Sequence, residues 1–283
     1  MIKVSARRLA TLLATSSLVL VFAAPPTQGA IVGSWPLDDL PPGAAAAPGK
    51  SFRVLVGTEP LRAAANTKLT GATAIPGVNR AVYFPGWRRV SGGLVDATES
   101  AMSTDPSLGF ATGSDGGSAA LDPVDRPFSF AATVLPDPAN QFPLDGREPS
   151  AVSPNIMQKG LTTTSGGFWK LSLGMGGSGA GRYWFPFCTF KNGSLELKPG
   201  YTGATFRLAQ GVPYRIGCLK SGSTATLQVW TPGGIPLFAT SVSATSAFTV
   251  DNSIAVAVGH KPNSTDPADS YAGSISQVRI DKN

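Results

Sequence analysis

Short apolar runs separated by turn residues recur along the whole chain. They lie at Ile31–Leu40, Phe52–Val56, Ala81–Phe84, Phe128–Leu135, Trp169–Leu173, Tyr183–Phe190, Ala204–Leu208, Tyr214–Leu219, Ala225–Trp230, Ile254–Val258 and Ile275–Ile280. In TATLQVW, Ala225, Leu227 and Val229 fall on one side of an extended chain and Thr226, Gln228 and Trp230 on the other. That is the period of a strand with one buried face. In YWFPF the same alternation sets Tyr183, Phe185 and Phe187 against Trp184, and either set can be core. Between the runs sit LKSGSTAT, TPGGIP and KPNSTDPADS, rich in residues that accept positive φ or fix a bend.

Helical signals are weak. The window Asp96–Ser107 suits at most one turn, ended by Pro106. The stretch PPGAAAAPGK has too few large side chains to pack and reads as a surface loop. Ser91–Leu121 is polar and Gly-rich, and we read it as a long loop within one domain. Residues 31–90 alone offer about three strands, too few for an independent sandwich.

The first thirty residues have the order of a secretory signal. Lys3, Arg7 and Arg8 precede an apolar stretch from Leu9 to Ala24, and small residues follow. The apolar part is interrupted by Thr and Ser and is shorter than the roughly 20 residues of a membrane span. Residues 1–30 are therefore expected to be a signal peptide and 31–283 one mature domain without a transmembrane segment, released outside the cell.

Composition agrees with many short strands. Charged residues make up only 14% of the chain, against 33 Gly and 24 Pro. Loss of Lys3, Arg7 and Arg8 takes three from the net charge of +6, leaving the mature chain near +3. The densest basic cluster is the pair Arg88-Arg89, which is no nucleic-acid footprint. Two cysteines, Cys188 and Cys218, in an exported chain predict a disulfide. With His260 as the sole histidine, too few ligands remain for an ordinary zinc site.

Several stretches together resemble the laminin-G-like and concanavalin A-like lectin/glucanase superfamily of secreted bacterial proteins. IVGSWPLDD is similar to its first strand, RAVYFPG to its apolar-x-Phe-x-Gly strand and RPFSFAATVLPD to the start of its central sheet. NIMQKG with GFWKLSL, and GVPYRIGCLKSGSTATLQVWTPGG, resemble its paired strands and next hairpin. IAVAVGHKPNSTDPADSYAGSISQVRI resembles its closing Val-Gly strand, polar loop and aromatic-x-Gly-x-Ile motif. The resemblance implies an all-β, two-sheet antiparallel jelly-roll sandwich over residues 31–283. It also sets Cys188 and Cys218 on neighbouring strands.

The same resemblance sets out the chemistry to be weighed. Hydrolases of this superfamily need two carboxylates flanking the scissile bond. Here Glu59, Glu99, Glu148 and Glu196 stand far apart in sequence, and no acidic pair alternates along a strand. No Gly-x-Ser-x-Gly elbow accompanies His260, which reads as a strand-end residue. No catalytic residue is assigned. Sugar recognition uses aromatic faces, for which Trp87, Trp184 and Trp230 are the candidates. Calcium, bound by some laminin-G-like domains, would use Asp266 and Asp269 in a loop shared with Asn263. The expectation is a secreted, non-catalytic, lectin-like module for carbohydrate or another extracellular polymer. A structural or adhesive protein-binding sandwich is the alternative, with a glycoside hydrolase behind it.

Overall fold

The computed structural model describes residues 30–58, 60–64, 68–72, 75, 80–85, 89–90, 93–94, 102–103, 121–137, 153–177, 181–201, 205–209, 211–262 and 269–283. The expected signal peptide lies outside these residues, save Ala30, which opens the first strand. No helix among the described residues is long and apolar enough to cross a membrane.

The apolar runs form strands wherever alternation is sustained. The first half of the chain supplies β1 (Ala30–Trp35), β2 (Arg62–Ala63), β3 (Thr70–Ala72), β4 (Ala81–Pro85), β5 (Arg89–Val90), β6 (Gly93–Leu94) and β7 (Met102–Ser103). The remaining strands follow. They are β8 (Phe128–Pro136), β9 (Asn155–Lys159), β10 (Phe168–Gly176), β11 (Tyr183–Asn192), β12 (Leu195–Leu197), β13 (Tyr214–Ser221), β14 (Thr224–Trp230), β15 (Pro236–Ser243), β16 (Val256–Val258) and β17 (Ala272–Lys282). Within Asp96–Ser107, where at most one turn of helix is expected, Met102–Ser103 form β7, which pairs with β16 and β2, and the other residues of the window lie outside the described residues. Phe52–Val56 makes isolated bridges, through Val56 to Ser34 and through neighbouring Ser51 to Arg62, in place of a strand.

Two antiparallel sheets result, as the resemblance implies. The first runs β15-β14-β13-β8-β17-β4-β3, with β1 also on β17, and the second β12-β11-β10-β9-β16-β7-β2. The chain passes from β8 in the first sheet to β9–β12 in the second, returns for β13–β15, crosses for β16 and closes on β17. These crossings between facing sheets are those of a jelly roll.

The core between the sheets is aromatic. Trp169 of β10 lies 4.4 Å from Phe130 and 5.5 Å from Phe128 of β8, and Phe190 of β11 lies 5.5 Å from Phe130. Cys188 and Cys218 form a disulfide, Cα to Cα 5.8 Å. Their strands are not hydrogen-bonded neighbours: β11 and β13 belong to opposite sheets, so the bond fastens one sheet to the other through the core. Closing a loop of this length stabilises the fold by about 3–4 kcal/mol in the chain-entropy model.

Candidate functional site

The pairing of β10 with β11 sorts their side chains by face. Trp169 opposite Phe190, Leu171 opposite Cys188 and Met175 opposite Trp184 point into the core. Lys170 opposite Thr189, Ser172 opposite Phe187, Gly174 opposite Phe185 and Gly176 opposite Tyr183 therefore face outward.

On that outer face the rings of Tyr183, Phe185 and Phe187 form a row, with steps of 6.2 and 6.3 Å between centroids. Tyr201, in the chain that follows β12, extends it, 5.0 Å from Phe187 and 6.1 Å from Phe185. Glycines make the row possible. A Cβ at position 174 would stand 2.4 Å from the Phe185 ring, and one at 176 would stand 2.6 Å from the Tyr183 ring. Phe185 and Phe187 form a buried floor, while Tyr183 is half-buried and Tyr201 is 45% exposed.

Cations overlie the row. The Arg207 guanidinium is 4.0 Å from the Tyr183 ring centre, Lys170 Nζ 5.4 Å from that of Phe187, and Lys198 Nζ 5.5 Å from that of Tyr201. Such contacts draw on the negative face of the ring. Lys198 is also paired with Glu196 at 3.1 Å. Lys170 donates to Ser153 Oγ at 3.3 Å and has no carboxylate within ion-pair distance among the described residues. Burial pushes its ammonium down to about 8; Asp269 and Glu196 oppose the shift, and Lys261 and Lys198 add to it.

Polar groups continue the face. Ser172 donates to Asn155 Oδ1 at 2.7 Å, and Asn155 Nδ2 donates to the Asp269 carbonyl at 3.4 Å. Lys261 pairs with the Asp269 carboxylate at 3.3 Å. His260 is fully buried, its Nδ1 3.1 Å from Ser270 Oγ.

The two tryptophan candidates among the described residues lie on different sheets. Trp87 lies outside the described residues. Trp184 sits in the core at 4% exposure, because its partner Met175 and its alternation place it on the inner face, and it offers no open ring. Trp230 is half-buried on the outer face of the first sheet, its ring laid against Gly217, where a Cβ would approach to 3.0 Å. Arg215 is its cross-strand partner, and burial together with Arg279 lowers that guanidinium. Of the calcium candidates, Asp266 and its neighbour Asn263 lie outside the described residues. Asp269 faces the Lys261 ammonium, and no group of three or more metal-ligating side chains occurs among the described residues. The tryptophan reading passed over Tyr183, Phe185, Phe187, Tyr201, Lys170, Lys198 and Arg207. Their signal was the alternation in YWFPF beside Gly174 and Gly176, two apart on the facing strand.

No protein-family model matches the sequence, and no curated protein matches it. Solved structures do. The tailspike protein 2 of Escherichia coli O157:H7 bacteriophage CAB120 is similar with a TM-score of 0.40 and 12% identity, over 71% of this chain and 22% of the tailspike. Domains LG4-5 of the mouse laminin alpha1 chain give a TM-score of 0.35 and 11% identity, over 56% of this chain and 36% of theirs. The CBM40 of a Ruminococcus gnavus sialidase, bound to alpha2,3 sialyllactose, gives 0.34 and 11%, over 56% of this chain and 76% of its own. The chain thus spans about a fifth of the tailspike and about a third of the laminin fragment. At such scores none of the three says what this chain binds, and its function has to come from its own residues.

Proposed function

We propose that this is an exported, non-catalytic module that binds carbohydrate on the outer face of the second sheet. The observation that carries this reading is the row of rings in which Tyr201, 45% exposed, and half-buried Tyr183 rise from the buried floor of Phe185 and Phe187, bordered by the cations Lys170, Lys198 and Arg207. A sugar presents C–H faces that pack on rings and hydroxyls that need polar partners, and this strip supplies both. Two carboxylates of the region, Glu196 and Asp269, are each held by a lysine, which suits recognition better than acid–base chemistry.

The test is a broad glycan array probed with the mature chain, with calcium and with a chelator. Saturable binding is expected in both conditions, and Tyr201→Ala should abolish most of it while leaving the melting temperature within a few degrees. Absence of binding to every glycan would turn attention to protein contact, for which Ile235 and Leu237, 65% and 44% exposed beside and on the edge strand β15, are one exposed apolar pair among the described residues.

A further inference from the structure

The charges on the aromatic row go further than a general affinity for sugar. Lys198 and Lys261 are each neutralised by a neighbouring carboxylate. Lys170 and Arg207 are not: each lies over a ring, and neither has a carboxylate partner among the described residues. They mark the two ends of the Tyr183-Phe185-Phe187 row, two ring steps of 6.2 and 6.3 Å apart.

A half-buried ammonium without a counter-ion is costly, and the usual remedies are a carboxylate or loss of the proton. Both candidate carboxylates in electrostatic reach of Lys170, Asp269 and Glu196, are committed to other lysines. Among the described residues no carboxylate is left for Lys170, and an anion from outside would satisfy its charged form.

Resting on the carbohydrate reading above, we infer that the ligand is an anionic glycan chain carrying at least two acidic groups, one seated at Lys170 and the next at Arg207, with the intervening sugar against Tyr201, the exposed ring that lies 5.0 Å from Phe187 and 6.1 Å from Phe185. Carboxylate and sulfate share the chemistry these side chains recognise. Arg207 can grip either with two parallel hydrogen bonds, while Lys170 acts as a point charge beside Ser153. The row of rings separates this site from a plain basic patch. It requires a sugar face between the two charges.

The decisive experiment compares polygalacturonate, its methyl ester, dextran sulfate, unmodified dextran and polyglutamate as ligands of the mature chain in calorimetric titration at fixed salt. Polygalacturonate or dextran sulfate should bind at least about tenfold more tightly than its uncharged counterpart, the loss expected when one charge-assisted hydrogen bond is removed. Lys170→Met and Arg207→Ala should each weaken that binding by a similar factor. Polyglutamate, an anion without sugar rings, should bind at least about tenfold more weakly. Which of the two anionic polymers binds identifies carboxylate or sulfate as the recognised group.

Equal binding of each charged polymer and its neutral counterpart overturns the inference and leaves the carbohydrate reading standing. Polyglutamate binding as tightly as the best glycan also overturns it, reducing the site to a polyelectrolyte patch. Failure of all five polymers, when the array has found a neutral glycan, overturns it as well; failure of polymers and array together removes both readings. Lys170→Arg serves as the folding control, since it keeps the charge and should keep most of the affinity.

Discussion

Two lysines of the second sheet, one strand apart, meet burial in opposite ways. Lys159 stands opposite Trp169 in the pairing of β9 with β10, and the next residue of β10 is Lys170, on the other face. Lys159 is wholly buried on the core side. Its Nζ lies 3.0 and 2.9 Å from the two carboxylate oxygens of Asp122 and also donates to the Asn252 carbonyl. Burial pushes the Asp122 carboxyl up to about 6 against the pull of Lys159. Lys170, on the outer side, has a ring and a serine hydroxyl and no carboxylate partner among the described residues. A buried cation neutralised within hydrogen-bonding distance is a structural element. One left without a counter-ion beside a row of rings is where a ligand has something to add.

Removing the structural lysine should have the largest effect of any change on this sheet. Lys159→Met leaves Asp122 buried without its partner and is expected to cost about 3–5 kcal/mol in urea unfolding at neutral pH. A cost below about 1 kcal/mol would mean that Asp122 takes up a proton or reaches water with ease, and the contrast between the two lysines would lose its basis.

The floor beneath Lys170 gives a smaller effect, and the first sheet supplies its control. Gly174 and Gly217 each lie under a ring on an outer face. At Gly174 a Cβ would meet the buried Phe185 at 2.4 Å, whereas at Gly217 it would meet the half-buried Trp230 at 3.0 Å. Gly174→Ala is expected to cost about 1–3 kcal/mol by forcing the floor apart, and Gly217→Ala less, because Trp230 has solvent to swing into. Thermal melts of the two variants side by side check the order. Equal losses would show that the outer row is no better packed than the lone indole.

Much of this was legible in the chain and some was not, for definable reasons. Alternation in TATLQVW predicts the inner and outer residues of β14 as observed, because neighbours in a strand need only local geometry. PLFATSVS is not predicted as a strand from its pattern: β15 is an edge whose residues are half-buried or exposed, so its apolar periodicity is faint. Cys188 and Cys218 pair as expected, but local sequence does not reveal that β11 and β13 lie in opposite sheets; that follows from the crossings of the whole chain. Trp184 carries a large indole, yet alternation alone leaves its face undecided. The pairing of β11 with β10 decides it, by setting Met175 opposite Trp184 and two glycines opposite Tyr183 and Phe185.

The smallest stability effect belongs to Lys170, and its sign is informative. Its ammonium is pushed from 10.5 in the unfolded chain down to about 8 in the fold, by burial first. Between those two values the unfolded chain holds a proton that the folded chain has released, so stability contributed by this group rises with pH from about 8 to 10.5, is lost as pH falls back across that window, and is absent below about 8. Asp269 and Glu196 oppose the shift, Lys261 and Lys198 reinforce it, and Ser153 is the group Lys170 donates to, so all five set the midpoint. Lys170→Met removes the titration. The variant should match or exceed the parent in stability at pH 7, within about 1 kcal/mol, and should lack that part of the rise above pH 8. Urea unfolding of both chains at pH 7, 8, 9 and 10 measures the difference directly. If the two curves stay parallel, Lys170 is already neutralised by another group, and the external anion assigned to it is not needed.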